Sequence, residues 1–152
     1  MLIARPLPDE TPWPLLLDAD PSRERIEGYL NDELTRVAKF GDVVVGVYVM
    51  VWIDRASMEL KNIAVRTDCQ GQGLGRWLLG HALGLAESKG ARRVEVGTGN
   101  SSLDNLEFYQ RGGFRIVGVI PDFFTDNYPQ PIIEDGIVCR DMVRLAFEVT
   151  PD

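Results

Sequence analysis

The segment Gln70-Gly71-Gln72-Gly73-Leu74-Gly75-Arg76 carries the residue types that point most directly to a ligand. It follows an apolar run and opens a stretch of helical periodicity. At such a junction the first-turn N–H groups lack partners within the helix, and the helix dipole is positive. Glycines let a ligand approach the backbone closely. The combination suits a phosphate. A Walker loop is excluded, because no Lys-Ser/Thr follows the glycines. A dinucleotide fingerprint is excluded as well: Gly71-x-Gly73-x-x ends on Arg76, and Gly73-x-Gly75-x-x ends on Leu78. A second constellation, Asp122, Phe123, Phe124, Asp126 and Tyr128, joins carboxylates to aromatic rings. That chemistry suits a cationic amine, and the same residue types suit a subunit contact equally well. The two cysteines, Cys69 and Cys139, stand 70 residues apart and offer no metal-ligand spacing. The single histidine, His81, lies four residues from both Trp77 and Leu85 and reads as a packing or surface residue.

Composition bounds the molecule that must position these groups. A chain of 152 residues with 45% apolar content predicts one packed domain over 1–152. No run approaches the roughly 18 apolar residues of a membrane helix. MLIARPLPDETPWP has no basic region leading into an apolar one, so a protein of the reducing cytoplasm is expected. The net charge of −7 argues against bulk nucleic-acid binding. The charge is divided unevenly. Residues 61–115 hold eight basic and five acidic groups, while the rest hold eight basic and 18 acidic. Ten of the 15 glycines lie between Gly71 and Gly113, and no proline occurs between Ser22 and Ile120. A mildly basic, glycine-rich middle within an acidic protein suits an anionic ligand. Five prolines cluster in residues 6–21 and three in residues 121–131.

Periodicity supplies the elements. Met1–Arg5 reads as a short strand, Trp13–Leu17 as a helical turn, and the stretch from Pro21-Ser22 as a helix with Ile26, Tyr29 and Leu30 on one face. Leu34–Phe40 and Val43–Ile53 form a hairpin around Gly41-Asp42. Met58–Val65 is a strand interrupted by Glu59, Lys61 and Asn62. Leu74 to Lys89 is a helix, Arg92–Val96 a strand, and Ser101/Ser102 are N-caps for a helix that ends at Gly112-Gly113. Phe114–Ile120 is a strand, Pro121–Glu134 an irregular loop, and Ile137–Phe147 the last strand. The order predicts an α/β fold with a central mixed sheet and helices on both faces, the strand after the Leu74 helix running parallel to Met58–Val65.

Gln70, Gly73 and Gly75 match the pattern Gln/Arg-x-x-Gly-x-Gly/Ala without a gap. In this the chain resembles the Gcn5-related N-acetyltransferases (GNAT family), whose pyrophosphate-binding signature this is. MELKNIAV (58–65) resembles the family's fourth strand, and Asn105–Phe114 its helix-to-strand element with an aromatic-Tyr pair followed by Gly-Phe. The resemblance covers residues 43–120 strongly and the rest loosely. GTGNSS, FYQRGGFR and DFFTDNYPQPI also look like a bacterial subgroup of uncharacterised small acetyltransferases.

The resemblance implies a GNAT acyl-CoA N-acyltransferase fold and acetyl-CoA as co-substrate, with no metal. It implies direct transfer of acetyl to a primary amine, on a small molecule or a peptide, through a tetrahedral intermediate. Backbone N–H groups of Gly71, Gln72, Gly73, Leu74, Gly75 and Arg76 would hold the pyrophosphate beside Gln70. Ile63, Ala64 and Val65 would pair with pantetheine, and the fourth and fifth strands would splay to admit the thioester. Glu59 is the candidate base, with Glu95 second and a structural carboxylate the alternative. Tyr109 is the candidate acid for the leaving thiolate, with a structural hydroxyl as the alternative. Asn100 and Asn105 are candidate pantetheine contacts, although the family asparagine falls here on Ser102. Asp122, Phe123, Phe124 and Tyr128 are the expected acceptor contacts. A homodimer is also expected from the resemblance, and a non-catalytic CoA-binding sensor or assembly module is the rival function.

Overall fold

The valine-rich run after Gly41 forms the spine of the sheet. In a computed structural model, described over residues 1–149, β1 (Leu2–Ala4), β2 (Thr35–Phe40), β3 (Val43–Trp52) and β4 (Ser57–Val65) form an antiparallel series. Helix α1 (Trp13–Ala19) and helix α2 (Arg23–Tyr29) lie between β1 and β2 in the chain. Ser22 caps α2, its hydroxyl accepting from the Arg25 N–H at 3.2 Å. A single 3-10 turn, Thr67–Cys69, leads from β4 towards α3 (Leu74–Ser88), which carries the chain to β5 (Arg93–Gly99), parallel to β4. Helix α4 (Leu103–Arg111) follows, then β6 (Arg115–Ile120), the short helix α5 (Phe123–Asn127), β7 (Ile133–Glu134), β8 (Ile137–Val138) and β9 (Met142–Glu148). The seven-stranded sheet has the order β1-β2-β3-β4-β5-β9-β6. Among the described residues, no helix is long and apolar enough to cross a membrane.

The sheet is covered on two faces. Leu78, Leu79, Ala82 and Ala86 of α3 and Tyr109 of α4 pack with Met58, Leu60, Val94 and Leu145. Leu15, Leu16 and Ile26 of α1 and α2 pack with Val37, Val47 and Val49. Full burial of each of these leucine, isoleucine, valine and methionine side chains stabilises by about 1.5–3 kcal/mol, so apolar burial holds both helical layers to the sheet.

Three elements differ from the sequence-based expectation. The last strand is broken: Ile137–Val138 turns back on Ile133–Glu134 in a separate two-stranded ribbon. The turn is Asp135-Gly136, with φ 52° and 76°, the Asp-Gly signature of a tight hairpin. The loop 121–134 contains α5. The hydroxyls of Ser101 and Ser102 do not cap α4; both donate to Glu134 Oε1, at 2.9 and 2.8 Å.

β4 also changes the face it presents midway. Val49 pairs with Asn62 but Met50 pairs with Leu60, so Lys61 is an extra residue in the strand. Such a bulge resets the two-residue alternation. Met58 and Leu60, then Ile63 and Val65, pack on the α3 side, while Asn62 and Ala64 face α1.

Candidate active site

β4 and β5 pair only from Ser57↔Arg93 to Leu60↔Val96. Beyond that point β4 stays on β3 as far as Gly46↔Val65, and β5 stays on β9 as far as Gly99↔Met142. The two strands therefore part at the bulge, right after Leu60, and leave facing backbone edges without ladder partners. Unpaired strand edges take an extended amide-bearing ligand as an added strand. A cleft of about 1270 Å³ opens there, lined by Ile63, Ala64 and Val65 on one side and by Gly97, Thr98 and Gly99 on the other.

One end of the cleft is the start of α3. Gly73 is its N-cap with φ 82°, and no side chain caps the helix. A Cβ at Gly71 or Gly73 would meet no protein atom within 4 Å, so the left-handed backbone, not crowding by the protein, calls for glycine there. The uncapped N–H groups and helix dipole match an anion. Gln70, Gly71, Gly73, Gly75 and Arg76 line the cleft. The Gln70 side chain donates to the Val65 carbonyl at 3.1 Å, tying the loop to the end of β4. Leu74 sends its side chain into the core, so only its backbone faces the loop. Gln72 is exposed and outside the cleft lining.

At the parting of the strands stand Glu59 and Tyr109, both lining the cleft. Glu59 faces Glu95 in register across the parallel pair. Arg144 of β9 bridges the two: Nη1 lies 2.8 Å from Glu59 Oε2, and Nη2 lies 3.1 Å from Glu95 Oε1. Lys61 Nζ approaches Glu59 Oε1 at 3.4 Å. Burial works against the Arg144 charge, but the two carboxylates outweigh it and hold the guanidinium above its ordinary value. Tyr109 is held edge-on between Phe108 and Phe114. Burial alone pushes its phenol above the usual tyrosine range, so it keeps its proton and can act as a donor.

The α1–α2 side of the cleft carries a buried polar chain. Tyr128 donates to Asp20 Oδ1 at 2.9 Å, and Tyr29 donates to Asp20 Oδ2 at 3.1 Å. Asn62 Nδ2 donates to the Tyr29 hydroxyl and to the Leu16 carbonyl, each at 3.0 Å. Burial raises the phenols of Tyr29 and Tyr128, and the Asp20 charge adds to this. Asn62 Oδ1 is buried without a donor among the described residues, a state that costs about 1–3 kcal/mol unless something supplies a hydrogen. Phe124 stacks on Tyr128 with ring centroids 5.7 Å apart, and Phe123 also lines this end.

Two of the expected contacts lie outside the cleft lining. Asn100 is a strut. Its Oδ1 accepts from the N–H groups of Arg140 and Asp141, and its Nδ2 donates to the Val138 carbonyl, which leaves it outside the cleft lining. Asp122 is the exposed N-cap residue of α5, held by its N–H to Asp141 Oδ1 at 2.9 Å, and it too stays out of the lining. Asn105 does line the cleft and donates to Thr98 Oγ1 at 3.4 Å. His81 accepts from or donates to the Tyr48 hydroxyl through Nδ1 at 2.7 Å, away from the cleft. By sequence Asp20 and Arg144 carry no motif, Tyr29 is one position of a helical face, and Asn62 is a break in a strand. A polar residue inside an apolar strand was the available signal for Asn62. Arg144 in the last strand gave the same kind of signal.

Known proteins resemble both the sequence and the fold. The sequence profile of the Acetyltransferase (GNAT) family matches residues 5–114. YvbK, an uncharacterized N-acetyltransferase of Bacillus subtilis, is 42% identical over 137 residues, which span 90% of this chain and 88% of that protein. The crystal structure of a GNAT family acetyltransferase from Elizabethkingia anophelis with acetyl-CoA bound superposes with a TM-score of 0.93 at 42% identity, covering 97% of each chain. A Bacillus cereus structure named IAA acetyltransferase gives a TM-score of 0.91 at 48% identity, covering 97% of this chain and 98% of that one.

Proposed function

The chain belongs to the GNAT family and is an acetyl-CoA-dependent N-acetyltransferase, and from that premise we propose that this cleft moves acetyl directly from acetyl-CoA to a primary amine. The observation that carries the reading is the parting of β4 and β5 after Leu60 and Val96, between an uncapped helix N-terminus and a buried tyrosine. The Gly71–Arg76 backbone receives the pyrophosphate, and the free edge of Ile63–Val65 pairs with the pantetheine amides. A backbone N–H on that edge polarises the thioester carbonyl as an oxyanion hole does.

The acceptor nitrogen must lose a proton before it attacks. Glu59 takes that role, directly or through one water. Arg144 and Lys61 fix its orientation, and each of its oxygens keeps a lone-pair position beyond those ion pairs. Attack gives a tetrahedral intermediate. Its collapse breaks the C–S bond, and Tyr109 gives its proton to the leaving sulfur. The acid assignment is supported by the burial of Tyr109 beside the cleft and by its lack of a hydrogen-bond partner for the hydroxyl among the described residues. The test is thiol release from acetyl-CoA with a panel of amines and peptides, with the acetylated product identified by mass. Tight CoA binding without any acetylated amine would instead favour a non-catalytic CoA-binding module.

A further inference from the structure

The Asp20 side of the cleft holds unused acceptors on its floor and, on its wall, a cation without a carboxylate partner among the described residues. Asp20 has about four lone-pair positions, and three are taken: Oδ1 accepts from the Ser22 N–H and the Tyr128 hydroxyl, and Oδ2 from the Tyr29 hydroxyl. One position on Oδ2 is left. Asn62, only 3% exposed, spends its amide hydrogens on Leu16 and Tyr29, and its Oδ1 has no donor. The Tyr29 oxygen lies between these groups, 3.1 Å from Asp20 Oδ2 and 3.0 Å from Asn62 Nδ2. A group with three N–H donors and a positive charge fits such a floor. That group is a primary ammonium.

The wall adds a second requirement. Arg25 lines the same cleft, 5.1 Å from the Phe123 ring centroid and 5.5 Å from that of Tyr128. It makes no ion pair with a carboxylate among the described residues, although its charge and a side-chain contact favour the ionised form of the neighbouring Tyr128 phenol, whereas Lys61 is paired with Glu59. Arg25 and Tyr29 stand one turn apart on one face of α2, with about 5–6 Å between Cβ atoms at such a spacing. An ammonium seat beside an unpaired guanidinium matches an amine and a carboxylate carried on one carbon. The rings of Phe123, Phe124 and Tyr128 leave an apolar surface for what else that carbon bears. Asn62 lies two residues past Leu60, about 7 Å along the strand from the last β4–β5 pair. The amine is thereby brought to the place where the strands part.

We infer that the acceptor is a free α-amino acid with an apolar or aromatic side chain, its ammonium received by Asp20, Asn62 and Tyr29 and its carboxylate by Arg25. The inference rests on the proposed acetyl transfer for the chemical step. Its recognition part can be tested separately, on the CoA complex.

L-Phenylalanine, 2-phenylethylamine and 3-phenylpropionate carry both charged groups, the amine alone and the carboxylate alone. Each is titrated calorimetrically into the protein–CoA complex, and the two amines are also assayed for acetylation. Phenylalanine is expected to bind at least tenfold more tightly than either single-charge analogue. Arg25→Gln is expected to bring it to the level of phenylethylamine without changing CoA affinity. Asp20→Asn is expected to bring it to the level of phenylpropionate, and Tyr128→Phe, which removes one hydroxyl, serves as the milder variant should Asp20→Asn not fold. Equal or tighter binding of phenylethylamine, no binding of phenylalanine, or an Arg25→Gln variant that weakens both amines alike would overturn the inference. Binding in the expected order without acetylation of either amine would uphold the recognition and count against the transfer reading.

Discussion

Arg144 donates to Glu59 across 2.8 Å, joining β9 to the residue that stands where β4 leaves β5. Its other nitrogen holds Glu95, so one guanidinium separates two carboxylates that face each other in register. Replacing Arg144 with Met leaves those carboxylates side by side without their shared partner. Hydrogen bonds to charged groups of this kind are worth about 1.5–3 kcal/mol, and partial exposure reduces the loss. Urea unfolding should show a destabilisation of about 1–2 kcal/mol with an unchanged m-value. Turnover should fall as well, because Glu59 loses its orientation. A variant as stable and as active as the parent would remove Arg144 from this account.

Tyr109→Phe removes one oxygen and keeps the ring between Phe108 and Phe114. A lost general acid typically costs about 10²–10⁴ in rate. We expect kcat to drop at least a hundredfold with little change in CoA affinity or Tm. An unchanged kcat in a folded variant would assign Tyr109 to packing.

Gly73→Ala tests the phosphate end. The φ of 82° makes a Cβ costly by about 1–2 kcal/mol, although no protein atom would clash with it. Thermal unfolding should register the strain, and the new methyl should raise the KM for acetyl-CoA. Gly75→Ala differs in where its Cβ would go, in ordinary contact with the Phe108 ring at 3.5 Å. It should cost less stability than Gly73→Ala. Equal stability of the two variants would argue against strain at Gly73.

His81 offers a pH-dependent prediction away from the cleft. Burial, aided by Arg36, lowers its pKa below the ordinary value of 6.5. The unfolded chain therefore binds this proton more readily than the folded one, and the stability is fully present above pH 6.5. It should be lost progressively as pH falls from there towards the folded value. His81→Leu should flatten the dependence just below pH 6.5, as measured by urea unfolding at stepped pH. A slope unchanged in that variant would place the titration elsewhere.

What could be read in the sequence was local. The glycine spacing at Gln70–Gly75, the apolar run of β3 and the helical stripe of α3 are patterns within one element, and each appears close to where it was expected. The acceptor end is not local. Tyr128 and Asp20 are 108 positions apart, and Arg144 and Glu59 are 85. Only the sheet order, with β9 placed between β5 and β6, brings Arg144 to the centre. Asp122 lies outside the cleft lining, and the carboxylate that meets Tyr128 comes from Asp20, in the proline-rich segment at the other end of the chain. The broken last strand was legible in Asp135-Gly136, a hairpin signal hidden by the apolar residues on either side.

The central claim is acetyl transfer to an amine in the cleft between β4 and β5. Its most direct test counts CoA thiol released from acetyl-CoA against acetylated amine found by mass spectrometry in the same reaction, across a panel of amino acids, other small amines and peptides. The account predicts at least one acceptor with a one-to-one ratio of thiol to acetylated amine, and at least a hundredfold slower appearance of both in Tyr109→Phe. Saturable CoA binding with no acetylated amine from any member of the panel would contradict it.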